Sequence, residues 1–114
     1  MSEPDVQAFL PLQARVFAIL LLLAEGPRHG YAVMRELKEG AQERFLLGPA
    51  TLYRTLKEMQ GDGLITSVAR ESGESDGPPR RYYQLSGFGR RVAAAEAARM
   101  RGLVRRAGEL LPGS

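Results

Sequence analysis

Apolar positions along this chain change rhythm three times. They run dense, then three apart, then alternate, and finally take a heptad-like spacing. The longest apolar run is "VFAILLLLA", Val16–Ala24. The pattern predicts a first helix over Leu12–Glu25, with Pro11 at its N-terminus, where a missing N–H costs nothing. Its apolar face is broad, so the helix should be largely buried. A second helix is predicted over Gly30–Glu39, with Tyr31, Met34 and Leu37 spaced three apart and Gly40 as its stop. The connector "AQERFLLG" holds Phe45, Leu46 and Leu47, which should anchor it to the core. Residues 1–10 are weakly patterned and read as a short helix or an ordered arm.

The third helix has the clearest punctuation. Gly48 precedes Pro49, a residue favoured in the first helical turn, and "GDG" at 61–63 ends the element. Leu52, Leu56 and Met59 fall at i, i+4 and i+7 and form one buried stripe. After that the period shortens. "LITSVARE" (64–71) and "RRYYQL" (80–85) are rich in β-branched and aromatic residues, and the connector "SGESDGPP" is full of turn formers. They predict a two-stranded antiparallel hairpin with Tyr83 and Leu85 facing the core. A lone hairpin is marginal, so it must lean on the helices.

Ser86 can cap a last helix over Gly87–Leu111. On it, Ala93, Ala97, Met100, Val104, Ala107 and Leu111 trace a heptad-like seam, read as a dimerisation surface. The predicted fold class is mainly α with a small β-hairpin wing. Helix–helix–helix–hairpin–helix is the order of a winged helix-turn-helix followed by a dimerisation helix. The expected organisation is a DNA-binding region over residues 1–86, N-terminal arm included, and a C-terminal dimerisation helix over 87–111.

Composition narrows the choice of function. The chain has 114 residues, 44% hydrophobic and 25% charged, as in an ordinary globular protein. It has no cysteine and a single histidine, His29, which removes disulfides, thiolate metal sites and most catalytic triads. Neither a metal nor a cofactor is expected, and no nucleophile–base pair or phosphate loop suggests an enzyme. Nine apolar residues between Arg15 and Glu25 are too few to cross a bilayer and do not read as a signal peptide, so a cytoplasmic protein is expected. The net charge of +3 is uneven: residues 1–79 carry −3 and residues 80–114 carry +6, from eight arginines and two glutamates. Such asymmetry favours a polyanionic partner or an acidic neighbouring subunit.

Double-stranded DNA is the partner that this order and charge suggest, and the candidate contacts follow from where each element would lie. With Leu52, Leu56 and Met59 turned inward, Ala50, Tyr53, Arg54 and Lys57 fall on the opposite face of the third helix. Arg54 suits a bidentate guanine contact, Lys57 suits phosphate, and Ala50 permits close approach. Pro49 and Thr51 sit in the first turn, where helix amides attract a phosphate. Tyr31 and Arg35 belong to the helix expected to cross the backbone, near a phosphate; the alternative is a capped helix start with Tyr31 half-buried. His29 reads as part of a capped helix start. Arg80 and Arg81 open the second wing strand and would clamp phosphates, with the acidic tip (Glu71, Glu74, Asp76) turned away. Arg90, Arg91, Arg99, Arg101, Arg105 and Arg106 read as a solvated face around the dimer seam more readily than as a second DNA surface. The competing function is a winged-helix protein–protein module in which Tyr53 and Arg54 form the hot spot.

The blocks "GPRHGYAVMREL", "GPATLYRTLKEMQGDGLI" and "GPPRRYYQLSGFGRR" resemble, in order and spacing, the signature blocks of the PadR family of transcriptional regulators. The resemblance covers about residues 10–92. It implies a winged helix-turn-helix homodimer that binds a palindromic operator, usually as a repressor, and that often releases DNA when a small-molecule effector binds near the dimer interface. Tyr31 matches the family's "HGY" tyrosine, Thr51, Leu52 and Tyr53 its "TLY", and Arg80 to Tyr83 the start of the second wing strand. The short last helix is similar to that of the compact subfamily. Three features depart from the pattern. Arg54 stands where the family commonly has proline, adding a charge to the reading face. "SGFGRR" replaces the usual threonine-plus-acid start of the last helix. Without tryptophan, and with no aromatic beyond Phe88 in that helix, the stacked aromatic pocket of some compact members is not expected.

Overall fold

The computed structural model describes residues 5–40, 45–70 and 80–113. A short 3-10 helix, Val6–Phe9, leads the chain, with the Asp5 carboxylate accepting a hydrogen bond from the Gln7 amide at 2.9 Å. Helix α1 spans Ala14–Ala24, so it starts two residues later than the apolar pattern predicts, and Pro11 lies before the helix, not in its first turn. The reason is tertiary. The Leu12 amide donates to the Glu96 carboxylate at 3.2 Å, and Gln13 is extended. Burial of α1 is also less complete than its run of leucines suggests: Ile19, Leu20 and Leu23 are buried, but Leu21 is 50% exposed.

Helix α2 covers Gly30–Lys38 and α3 covers Pro49–Gly61, with Gly48 as the N-cap of α3. Both match the predicted elements to within a residue. The α3 stripe is buried as expected, with Leu52, Leu56 and Met59 at most 2% exposed, against Ile19, Leu20, Val33 and Leu37. Each such side chain contributes about 1.5–3 kcal/mol on burial. Phe45 and Leu47 pack against this core, whereas Leu46, expected to anchor beside them, is 78% exposed.

The sheet has three strands, not two. β1 (Arg28–His29) pairs antiparallel with β3 (Arg80–Leu85), which also pairs with β2 (Ile65–Arg70), in the order β1-β3-β2. Two residues between Pro27 and a helix carry no alternation, so nothing local marks β1 as a strand. Its pairing with Tyr82 and Tyr83 creates it. In the hairpin, Ile65 faces Leu85, Ser67 faces Tyr83 and Ala69 faces Arg81. Ile65 and Tyr83 bury one side of the sheet against the helices. The wing tip lies outside the described residues.

Helix α4 runs Gly87–Leu110. Ser86 caps it as predicted, its hydroxyl accepting from the Gly89 amide at 2.9 Å. The same residue ties α4 to the start of the hairpin, because its amide donates to the Leu64 carbonyl at 3.1 Å and its hydroxyl reaches the Gly63 carbonyl at 2.6 Å. Gly89 sits so close that a Cβ there would overlap the Leu64 carbonyl oxygen. One and two turns on, Val92 and Glu96 are fully buried. Glu96 accepts two hydrogen bonds from Arg99, at 2.6 and 2.9 Å, besides that from Leu12. This anchor leaves no trace in the hydrophobic pattern, since a glutamate there reads as surface. The predicted seam straddles two environments: Ala93 packs on the core, while Val104 and Leu111 are 71% and 60% exposed.

Two stability predictions follow from α4. Gly89→Ala must displace backbone, so it should destabilise the fold by at least about 1–3 kcal/mol, whereas Gly61→Ala, with open space around it, should not; thermal melts decide. The Arg99 hydrogen bonds hold the Glu96 carboxyl below its ordinary value of 4.5, with burial opposing and the Arg99 charge and the Leu12 amide assisting. A depressed carboxyl stabilises fully above its unfolded value and loses that contribution as pH falls through the folded one. Glu96→Gln should therefore cost about 1.5–3 kcal/mol at neutral pH, and the gap between the denaturation curves of the two proteins should narrow as pH falls below about 4.3.

Candidate nucleic-acid interface

Turning Leu52, Leu56 and Met59 into the core leaves the other side of α3 facing out. Ala50, Tyr53, Arg54 and Lys57 are all exposed. Pro49 is exposed at the helix start, and Thr51 is half-buried, its carbonyl accepting from the Thr55 hydroxyl at 2.8 Å. Arg54 and Lys57 thus extend from a helix held along its whole back. Pre-set side-chain bases of this kind lower the ordering cost of any contact they make.

The start of α2 adjoins this ridge. His29 accepts the Ala32 amide on Nδ1 at 3.2 Å, which makes it the helix cap that its isolation suggested. Its ring stacks on Tyr31, with centroids 6.4 Å apart, and meets Tyr82 edge-on at 5.6 Å. Tyr31 is 58% exposed, so the half-buried reading is corrected: the ring lies on the surface, with the Arg35 guanidinium 5.8 Å from its centroid. Tyr53 crosses from α3 onto Gly30. A Cβ at Gly30 would lie 2.6 Å from the Tyr53 hydroxyl oxygen, so this close seat requires glycine.

β3 closes the third side. Arg81 joins His29, Gly30, Tyr31 and Tyr53 around a cavity of about 310 Å³. Its Nη1 donates to the Ser67 hydroxyl at 2.9 Å, and the same hydroxyl accepts from Gln60 of α3 at 2.8 Å. Arg80 opens β3, paired with Arg70, and its side chain lies outside the described residues. Burial raises the Tyr83 phenol above its ordinary range; Tyr53 adds to this and Arg81 opposes it. The cluster therefore brings together Tyr31, Tyr53 and Arg81 from three separate elements, with Arg35 beside them and Arg54 and Lys57 along the ridge. Sequence reasoning missed Gln60 and Ser67, because a hydrogen bond between a helix end and a strand has no periodic signature.

Comparison with known proteins agrees with this architecture. The Transcriptional regulator PadR-like family matches residues 19–95, which is more than half the chain, and the chain belongs to that family. A PadR family transcription regulator from Clostridium difficile R20291 is similar in fold with a TM-score of 0.73 at 24% identity, over 87% of this chain and 99% of that one. Bacillus subtilis PadR in complex with operator DNA gives a TM-score of 0.64 at 24% identity, over 75% of this chain and 47% of that one. An uncharacterised protein from Lysinibacillus sphaericus is 31% identical over 72 residues, a match that spans 63% of this chain and 64% of that relative's length. The fold is that of PadR-family transcriptional regulators.

Gly30→Ala should push the Tyr53 ring off its seat while leaving the fold intact, since the atoms it would meet are the far end of one side chain and not backbone. Loss of nuclear Overhauser contacts between the Tyr53 ring and residue 30, with an unchanged melting profile, is the expected result.

Proposed function

We propose that this protein is a sequence-specific, homodimeric DNA-binding repressor without catalytic role or cofactor, acting in the cytoplasm. The carrying observation is the outward ridge of Arg54 and Lys57 on a helix whose opposite face is fully buried. Such a helix fits the major groove, where Arg54 pairs bidentately with guanine O6 and N7 and Lys57 meets phosphate. Pro49, Ala50 and Thr51 form the first turn that approaches the backbone. Tyr31, Arg35, Tyr53, Arg80 and Arg81 supply contacts to phosphates on either side. The operator-bound state of Bacillus subtilis PadR supports this choice of partner.

Dimerisation is supported by exposed apolar surface. Leu103, Val104 and Leu110 of the last helix, and Leu111 that caps it, are each at least 56% exposed. Ala93, Ala97, Met100 and Ala107 continue that seam towards the core, and a solvated helix face does not account for it. A second copy of the chain covers it, setting two reading helices about one helical turn of DNA apart. An apolar cavity of about 410 Å³, lined by Phe17, Leu21, Leu22, Leu37, Phe45 and Met100, adjoins the seam and offers room for a small-molecule effector that releases the DNA. Residues 1–86 then act as the DNA-binding region and 87–111 as the dimerisation helix.

Selection of bound genomic fragments followed by binding titrations tests this. Arg54→Ala should relax base preference at one operator position by about 1–3 kcal/mol. Lys57→Ala should weaken every duplex alike and reduce the salt slope by about one. A wild-type protein that retains no fragment preferentially would favour a protein–protein module, and a monomeric particle in sedimentation would remove the paired-reader geometry.

A further inference from the structure

Arg81 and α3 lie on different elements, yet a wing phosphate contact is useful only when the wing is held in register with the reading helix. The register of the hairpin places Ser67, Ala69, Arg81 and Tyr83 on one side of the sheet, Ala69 opposite Arg81 and Ser67 opposite Tyr83. Diagonal neighbours in an antiparallel pair are about 7–8 Å apart, within reach of a long side chain. Arg81 uses that reach, its Nη1 donating to Ser67 Oγ at 2.9 Å. From the last turn of α3, Gln60 Nε2 donates to the same oxygen at 2.8 Å. One hydroxyl thus accepts from the reading helix and from the wing together, filling both of its lone pairs.

The consequence is directional. Binding one guanidinium nitrogen to Ser67 sets the orientation of a planar, five-donor group and leaves its other donors without a hydrogen-bond partner among the described residues. They are held beside the cavity formed with His29, Gly30, Tyr31 and Tyr53, at the edge of the α3 ridge. We infer that Ser67 is a positioning residue for DNA binding: through Gln60 and Arg81 it fixes the wing's cation against α3 so that Arg81 and the tyrosines grip one backbone phosphate. This rests on the DNA-binding reading above. An unanchored Arg81 would have to lose the rotamer freedom of a long side chain at the moment of binding, so it would hold the phosphate for a smaller share of the time.

Phosphate contacts do not depend on sequence, so a mixed-sequence duplex is a sufficient probe. Binding is followed by fluorescence anisotropy over a range of salt concentrations for the wild type, Ser67→Ala, Ser67→Thr, Arg81→Ala and the double variant Ser67→Ala/Arg81→Ala. Ser67→Ala should weaken binding about threefold to tenfold and flatten the log–log salt slope towards that of Arg81→Ala, which loses about one phosphate contact. The double variant should bind no worse than Arg81→Ala, and Ser67→Thr, which keeps the hydroxyl, should restore the wild-type slope. A loss of stability alone would lower the active fraction without changing the slope. Wild-type slope in Ser67→Ala, or additive losses in the double variant, would overturn the positioning role while leaving DNA binding in place. A wild-type chain that retains no duplex at low salt would overturn both.

Discussion

Burial of one stripe, Leu52, Leu56 and Met59, governs the rest of this molecule. A helix of thirteen residues can turn about its own axis until something pins it. Here three side chains, at most 2% exposed, are packed into one core with residues of α1, α2 and β2. Any rotation of α3 would expose apolar surface at about 25 cal/mol for each Å². The outward direction of Tyr53, Arg54 and Lys57 is therefore a by-product of core packing, stabilised by residues that never meet a partner. This outward face can vary in sequence at little cost to the fold.

The second constraint is where the hairpin and the last helix meet. The Leu64 carbonyl receives the Ser86 amide, Ser86 caps α4, and Gly89 allows the helix to come close enough for both. From that junction two arms diverge. β2 and β3 carry the wing towards α3, and α4 carries its exposed apolar end away from the core. The Glu96–Arg99 pair then fixes the segment before α1 to the same helix. The cluster of Tyr31, Tyr53 and Arg81 and the exposed end of α4 are thereby carried by one junction of short hydrogen bonds and close packing.

Much of this was legible beforehand. Helices α2 and α3, both hairpin strands and the Ser86 cap lie within a residue of where periodicity and punctuation put them. The outward residues of α3 follow directly from the buried stripe, since a 3.6-residue period leaves their side chains nowhere else to point. The misses share one cause. The delayed start of α1, the strand at Arg28–His29, the burial of Glu96 and the bridge through Ser67 each depend on a partner in another element. A local pattern holds no information about such a partner.

The sequence by itself determined the kinds of elements, their order and the sidedness of each helix, because those follow from local backbone preferences and the spacing of apolar residues. Only the tertiary structure decided how the elements meet: that Tyr53 reaches across to Gly30, that Arg81 turns towards α3, and that a glutamate on the last helix is interior. Those outcomes come from side-chain length and hydrogen-bond geometry acting across gaps between elements, and those gaps exist only once the core has closed.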